Sequence, residues 1–442
     1  MPIEYSPSFR PRLALLLSTA ALAAGAGPAT VESPGSPEVQ SVYPQAQALY
    51  LDLHQHPELS SHETRTAELL AGKLRGLGYR VTEHVGGTGL VAILENGAGP
   101  TVMLRAELDG LPVEEKTGLP YASTARAKDD KGNDVSVMQA CGHDLHMSAL
   151  LGTAAVLAAS RGTWRGTLML IGQPAEETIT GARAMVDDGV FRRFPKPDLG
   201  LALHDTNELA AGHISVRAGA VFTNADSLRV TIFGRGGHGS RPDTTVDPIL
   251  IAARIVEGLQ SIVSREVHPG EMAVITVGYI HGGTKNNIIP DQVELGLTVR
   301  SYKPEVRALL LKSISRVVEG QAAAAGAEKM PTIDRFEYTD AVVNDTALTA
   351  RLRPALEQAL GKENVEELPP ATGSEDYSYF VNAGVPSLYF SLGAAEPGAL
   401  AQAKAAGKSL PSLHSSLFAP DLEPALKTAI AAEVTALRQL LQ

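Results

Sequence analysis

Cysteine is almost missing from this chain: 442 residues contain one, Cys141. No intramolecular disulfide can form, so the fold is held by its core and by whatever it binds. Basic residues are also in deficit, 38 Lys and Arg against 49 Asp and Glu, and the net charge of −11 disfavours binding to a nucleic-acid backbone. Only 20% of residues are charged and 44% are hydrophobic, which excludes an intrinsically disordered protein, and no periodic glycine pattern suggests a fibre. The chain has neither an internal repeat nor a long low-complexity tract. What remains is a globular chain of two or more domains, at roughly 150 residues per domain, with the composition of an enzyme for small molecules.

The amino terminus has a separate character. Arg10 and Arg12 precede the apolar stretch Leu13–Ala24, and the small-residue triplet Ala24-Gly25-Ala26 and a Pro/Ser/Gly-rich segment follow. A basic flank, a short apolar core and an Ala-x-Ala site in that order predict a signal peptide over residues 1–26. Its apolar core of 12 residues is too short for a stable membrane anchor, which needs about 20. The expectation is an exported, periplasmic protein whose mature form carries a net charge near −12.

Along the rest of the chain, apolar positions spaced by three and four from Gln45 to Gly78 predict two helices around the loop His54–Glu58. Strand-like runs at Leu90–Leu94, Thr101–Ala106, Gly166–Gly172 and Leu199–His204 then alternate with helical stretches such as Ser148–Ala159 and Thr180–Asp187. This alternation predicts an α/β domain with a mostly parallel or mixed sheet flanked by helices. Ligands of such sheets sit at the carboxyl ends of strands, where Glu107, Asp109, Glu176, Glu177 and His204 fall. Between Asp226 and Glu337 the order becomes strand (Leu228–Phe233), helix (Val246–Val263), strand (Ala273–Ile280), strand (Gln292–Arg300), helix (Pro304–Ala325), strand (Thr332–Tyr338). That is a ferredoxin-like pattern. The simplest organisation is a catalytic domain of residues 40–222 and 340–442, interrupted by an inserted α+β domain of residues 223–339.

Several short clusters carry chemistry. Cys141-Gly142-His143-Asp144-Leu145-His146 packs a thiol, two imidazoles and a carboxylate before an apolar helical run, and a helix start favours thiolate. These are ligand types suited to zinc and other first-row metals. Glu176-Glu177 follows a strand, so one carboxylate can bind a metal while the other serves as general base. His204 ends a strand and His414 lies near the carboxyl terminus. Taken singly, each has an ordinary explanation: a small core Cys, capping residues, a glutamate-rich first helical turn, a satisfied histidine.

Together with Arg105-Ala106-Glu107-Leu108-Asp109-Gly110-Leu111-Pro112, Gly236-Gly237-His238-Gly239, Asn286-Asn287-Ile288-Ile289-Pro290 and Gly373-Ser374-Glu375-Asp376-Tyr377, these strings resemble the amidohydrolase subfamily of the dinuclear zinc peptidases related to aminoacylase and carboxypeptidase G. The subfamily includes hippurate hydrolases and indole-acetyl-amino-acid hydrolases. The likeness runs in order over about residues 40–440. It implies two divalent metal ions per subunit, zinc or manganese first with cobalt or nickel also suited, held by Cys141 as a bridge with His143, Glu177, His204 and His414. It further implies Glu176 as general base and acid, Asp109 as an orienting residue, and Asp144 and His146 as supports behind the ligands. His238 corresponds to a histidine that in relatives reaches the partner subunit's site to stabilise an oxyanion, and Asn287 and, less closely, Arg300 to holders of the substrate carboxylate. The inserted domain is a lid that dimerises in relatives, so a homodimer is expected. Two positions depart from the pattern: Glu107 stands where Asp is usual and Gln139 where His is common.

The implied reaction is attack of a metal-bridging hydroxide on the amide of an N-acyl amino acid or short peptide conjugate, releasing a carboxylic acid and an amino acid. A dipeptidase or carboxypeptidase of the same fold, a Cys141-dependent thiol hydrolase, and a non-catalytic metal-loaded binding protein are the competing readings. Glu176 argues against the last, because a pure binding site has no use for a free carboxylate beside a ligand carboxylate.

Overall fold

The computed structural model describes residues 30–442, so the expected leader lies outside the described residues. An eight-stranded mixed sheet forms the larger body. Its order is Arg80–Glu83, Leu90–Asn96, Gly166–Gln173, Thr101–Glu107, Leu199–Ala210, Ser387–Ala395, Ile214–Ser215, Val365–Glu366. The central pairs Thr101–Glu107 with Gly166–Gln173, Thr101–Glu107 with Leu199–Ala210, and Ser387–Ala395 with Leu199–Ala210 are parallel, whereas Leu90–Asn96 runs antiparallel to both its neighbours.

Strand periodicity explains how the sheet buries both faces. Leu90, Ala92 and Leu94, with Val102, Leu104, Leu168, Leu170, Leu201 and Leu203, point into one core. The intervening Val91, Ile93, Met103, Met169, Ile171 and Ala202 point into another, as a period of two requires. The first core is covered by the long helices Pro37–Gln55, Thr64–Gly76, His143–Ala159, Thr346–Leu360 and Leu422–Leu440; the second by the short helices Gly181–Asp187, Val190–Arg193 and Ser378–Asn382. Helix His143–Ala159 is buried on every side over its first fifteen residues, consistent with its apolar composition. It starts five residues before the Ser148 expected from the sequence, placing Asp144 and His146 in its first turn.

Residues Asn224–Thr339 build a second, four-stranded antiparallel sheet in the order Ala273–His281, Gln292–Ser301, Asn224–Phe233, Thr332–Thr339. This is the ferredoxin-like order. Helices Pro248–Arg265 and Pro304–Ala324 cover one face through a separate core that includes Val230, Ile232, Ile255, Leu295 and Leu310. Asp247 caps the first of these helices by accepting from Ile249 N, with Pro248 at its first position. The chain enters and leaves this sheet beside a short ladder of Gly219–Phe222 with Val342–Asn344. Among the described residues no helix is long and apolar enough to cross a membrane.

Candidate active site

The carboxyl ends of the parallel strands and the start of helix His143–Ala159 converge on one cleft of about 700 Å³. Gly142 makes the convergence possible. Its φ of 74° is left-handed, and a Cβ there would stand 2.5 Å from both carboxylate oxygens of Asp205, so only glycine fits the turn that presents Cys141 and His143 on either side.

The sequence-predicted ligands do meet. Cys141 Sγ lies 3.5 Å from His204 Nε2 and 3.2 Å from His414 Nε2. Glu177 Oε1 lies 3.4 Å from His414 Nε2 and 4.0 Å from His143 Nε2. Cys141, His143 and His204 form one compact donor group, and Cys141, Glu177 and His414 another, sharing the cysteine. His143 Nδ1 donates to the Asp109 carbonyl at 2.8 Å, and His204 Nδ1 to the Asp205 carbonyl at 2.9 Å. In their neutral form both rings therefore carry the lone pair on Nε2, the nitrogen turned toward Glu177 in His143 and toward Cys141 in His204, the tautomer a metal ligand needs. His143 Nε2 and Glu177 Oε1 are buried without a hydrogen-bond partner. Buried orphan acceptors are costly, and a divalent cation between them satisfies both. The residues present fit such an ion.

Electrostatics point the same way. Burial pushes the Cys141 thiol well above its ordinary pKa, and the charges of Glu177, Glu176 and Asp205 push it further. The helix start therefore does not by itself yield the thiolate expected from the sequence; Cys141 precedes a helix but sits among carboxylates. Burial, then the charges of Glu375 and Glu177, holds the Glu176 carboxyl well above the usual carboxylate range. Burial opposes the His143 imidazolium, but the Asp109 hydrogen bond and the charges of Glu107, Asp109 and Glu177 carry it up to about 9. The donor set holds more negative charge than its protein surroundings neutralise, a mismatch that divalent cations reverse.

Backbone strain marks the same place. Ala175 and His414 have φ of 49° and 65°, unusual for residues with a Cβ, and each aims a chemically active residue at the cleft: Glu176 directly after Ala175, and His414 itself. Asp109 stands behind the ligands, its Oδ2 accepting from Glu177 N at 3.0 Å and from Ser60 Oγ at 2.6 Å. His146 joins Glu107, at 2.8 Å, to Asp205, at 3.1 Å. Glu107 is also paired with the buried Arg105, so the longer acid at this position serves this buried ion network. Asp144 pairs with His54 at 2.7 Å. Gln139 is buried with both amide atoms unpartnered.

Arg300 lines the cleft, half-buried, its guanidinium donating to the Thr372 carbonyl at 3.1 Å. His238 and Asn287 are not among the residues lining the cleft. Both are exposed and lie side by side on the small sheet's loops, where Gly239 N donates to the Asn287 carbonyl at 2.8 Å. Two residues at the cleft itself were not legible in the sequence. Asp205, adjacent to His204, orients that ring and His146; a carboxylate next to a candidate ligand was the available signal. Arg217 lines the cleft with a buried, unpartnered Nε and donates to the Leu368 carbonyl at 2.7 Å. No motif announces it.

The model of peptidase family M20/M25/M40 matches residues 103–408. The chain belongs to this family. An N-acetyl-L-cysteine deacetylase of Bacillus subtilis is 36% identical over 330 residues, 74% of this chain and 76% of that protein. The hippurate hydrolase of Campylobacter jejuni is 35% identical over 346 residues, 78% of this chain and 87% of its own length. Among solved structures, a Bacillus subtilis protein described as a dinuclear metal-binding peptidase of the M20 family superposes with a TM-score of 0.72 at 27% identity, covering 90% of this chain and 98% of that one. Membership makes the protein a hydrolase of amide bonds, and carboxylates, imidazoles and the one thiol gather at this cleft.

Proposed function

We propose that this protein is a metal-dependent amidohydrolase that cleaves N-acyl amino acids, or short peptide conjugates, to a carboxylic acid and an amino acid. The observation that carries the reading is the pair of buried, unpartnered acceptors His143 Nε2 and Glu177 Oε1 facing Cys141, with the carboxylate of Glu176 beside them. Cys141, His143, Glu177, His204 and His414 would hold two divalent ions, Cys141 being common to both donor groups; zinc, manganese, cobalt and nickel all suit this mixed set. Such ions, when bound, polarise an amide carbonyl and bring the pKa of a water towards about 7.

The protein's own groups do the rest. Glu176, whose carboxylate is made more basic by its surroundings, takes a proton from the attacking water and returns it to the leaving nitrogen. Asp109 and Asp205 hold His143 and His204 in the ligating tautomer. Arg217 and Arg300, neither paired with a carboxylate among the described residues, receive the carboxylate of the amino-acid half, as charge-assisted donors do. His238 and Asn287 would be supplied to the cleft from the small sheet of a second copy in a homodimer, His238 stabilising the developing oxyanion. Export with cleavage after Ala26 completes the reading, and N-terminal sequencing of the native protein that found Met1 or Pro2 would exclude it.

The test is chelation and reconstitution with Glu176→Gln alongside. Chelation abolishes release of the acyl group from a panel of N-acyl amino acids, and E176Q abolishes it while two ions remain bound. Turnover by metal-free protein ends the proposal.

A further inference from the structure

Glu63 precedes helix Thr64–Gly76 in the position where an acid ordinarily caps the helix, yet its side chain makes no bond to that helix. It is fully buried, and its carboxylate turns instead toward the loop carrying Glu176 and Glu177. Oε1 accepts from the backbone N of Ala175 at 2.7 Å and from the N of Ser61 at 2.8 Å, while Oε2 accepts from the hydroxyl of Thr88. The other side of Ala175 is pinned as well: its carbonyl accepts from Gly181 N at 3.1 Å and from Thr178 Oγ1 at 3.3 Å. Gly181 has no room for a side chain, because a Cβ would lie 1.5 Å from the Pro174 carbonyl oxygen. Between these anchors Ala175 keeps its left-handed φ of 49°, and Glu176 leaves the turn directed into the cleft.

We infer that Glu63 is a positioning residue for the reaction: its carboxylate is the acceptor that holds Ala175 in a conformation an alanine does not choose, and so sets the aim of Glu176 and Glu177. The inference rests on the reading above that these two glutamates serve the cleft's chemistry. A buried acid, 112 residues away in sequence from the N–H it accepts, gives up capping its own helix and serves a strained turn, as functional strain held by its surroundings does. Without that acceptor the Ala175 peptide relaxes, and both carboxylates shift together. Misplacement of a reacting group by about 1 Å costs about 100-fold in rate.

Glu63→Ala in the full-length, metal-loaded protein should lower kcat about 100-fold with KM within about 3-fold of wild type, as expected of a group that places a reacting carboxylate rather than binding substrate. The amide of Ala175 should exchange with deuterium at least about tenfold faster while the core strand Leu199–Ala210 keeps its protection. Glu63→Gln, whose amide oxygen can still accept from Ala175 N while its NH2 donates to Thr88, should restore both to near wild type. If E63A does not fold, Glu63→Asp, one methylene short, reports the same loss. Wild-type kcat or unaltered Ala175 exchange in E63A or E63D overturns the inference, as does E63Q behaving like E63A. Should the wild-type enzyme cleave no N-acyl amino acid, the functional reading fails, and the exchange measurement still decides the role of Glu63.

Discussion

Replacing Gly142 with alanine tests whether the turn between Cys141 and His143 is built as described. Two costs add. The first is backbone: at φ 74° and ψ 15°, a residue with a Cβ costs about 1–2 kcal/mol more than glycine. The second is steric. The new methyl would lie 2.5 Å from both oxygens of Asp205, and that carboxylate, 1% exposed, has no solvent to swing into. It must leave His146 Nε2, 3.1 Å away, and a buried polar group that loses its partner costs about 1–3 kcal/mol. Together the change should destabilise the fold by about 2–5 kcal/mol and lower Tm by roughly 2–6 °C, the shift per kcal/mol being small for a chain of this length. Because Asp205 also orients His204, metal affinity should drop about 10- to 100-fold. Differential scanning calorimetry and metal titration measure the two effects. The control is Gly72→Ala, in a helix interior with nothing within 4 Å of the new methyl, which should be neutral or stabilising by up to about 1 kcal/mol. A G142A protein that melts and binds metal like wild type would refute both the left-handed turn and the contact with Asp205.

Three other perturbations follow from the same structure. Burial pushes the Glu433 carboxyl up to about 8, although it accepts from Thr153 Oγ1 at 2.7 Å. Its folded pKa lies above its unfolded one, so its neutral form is favoured by folding; its contribution to stability is fully present below about pH 4.5, declines as pH rises towards 8, and levels beyond, by up to roughly 5 kcal/mol. Glu433→Gln should flatten this decline, with urea midpoints near wild type at pH 4.5 and well above it at pH 8; equal midpoints at both pH values would contradict the assignment. Arg217→Ala should raise KM about 10- to 100-fold for substrates with a free carboxylate, and leave their methyl esters unaffected; equal losses on acid and ester would remove Arg217 from recognition. Glu176→Gln should reduce kcat by at least about 100-fold without loss of bound metal, measured by steady-state kinetics and elemental analysis of the same sample.

The sheet strands were legible because each carries a period of two or a continuous apolar run: Leu90–Asn96 divides its side chains between two cores, and Thr332–Thr339 was recognisable from its place in the βαββαβ order. Boundaries were less so. Strand Leu199–Ala210 continues six residues beyond His204 through polar residues, because its backbone pairs with Ser387–Ala395, a partner nearly 190 residues away that no local pattern reveals. The same distinction governs the site. Cys141 and His143 before a helical run and Glu177 and His204 at strand ends were legible by position, His414 only through the family resemblance that also implied the set, and the fold brings them together. Asp205, Arg217 and Glu63 were silent, since an aspartate after a histidine, an arginine in a loop or a glutamate before a helix each has an ordinary local explanation. Their roles come from contacts across the chain. His238 and Asn287 form the reverse case, conspicuous as sequence and placed by a single chain on exposed loops of the inserted segment.

In the proposed function, the donors around Cys141 hold two divalent ions on which amide hydrolysis depends. Metal content by inductively coupled plasma mass spectrometry, on protein stripped by chelator and reloaded with zinc or manganese, tests it most directly when each sample is also assayed on an N-acyl amino acid. The active protein should carry two ions per chain, His143→Ala and His414→Ala fewer than two, and activity should rise and fall with occupancy. Full hydrolysis by chain carrying no metal, or stoichiometry unchanged in both variants, would contradict it.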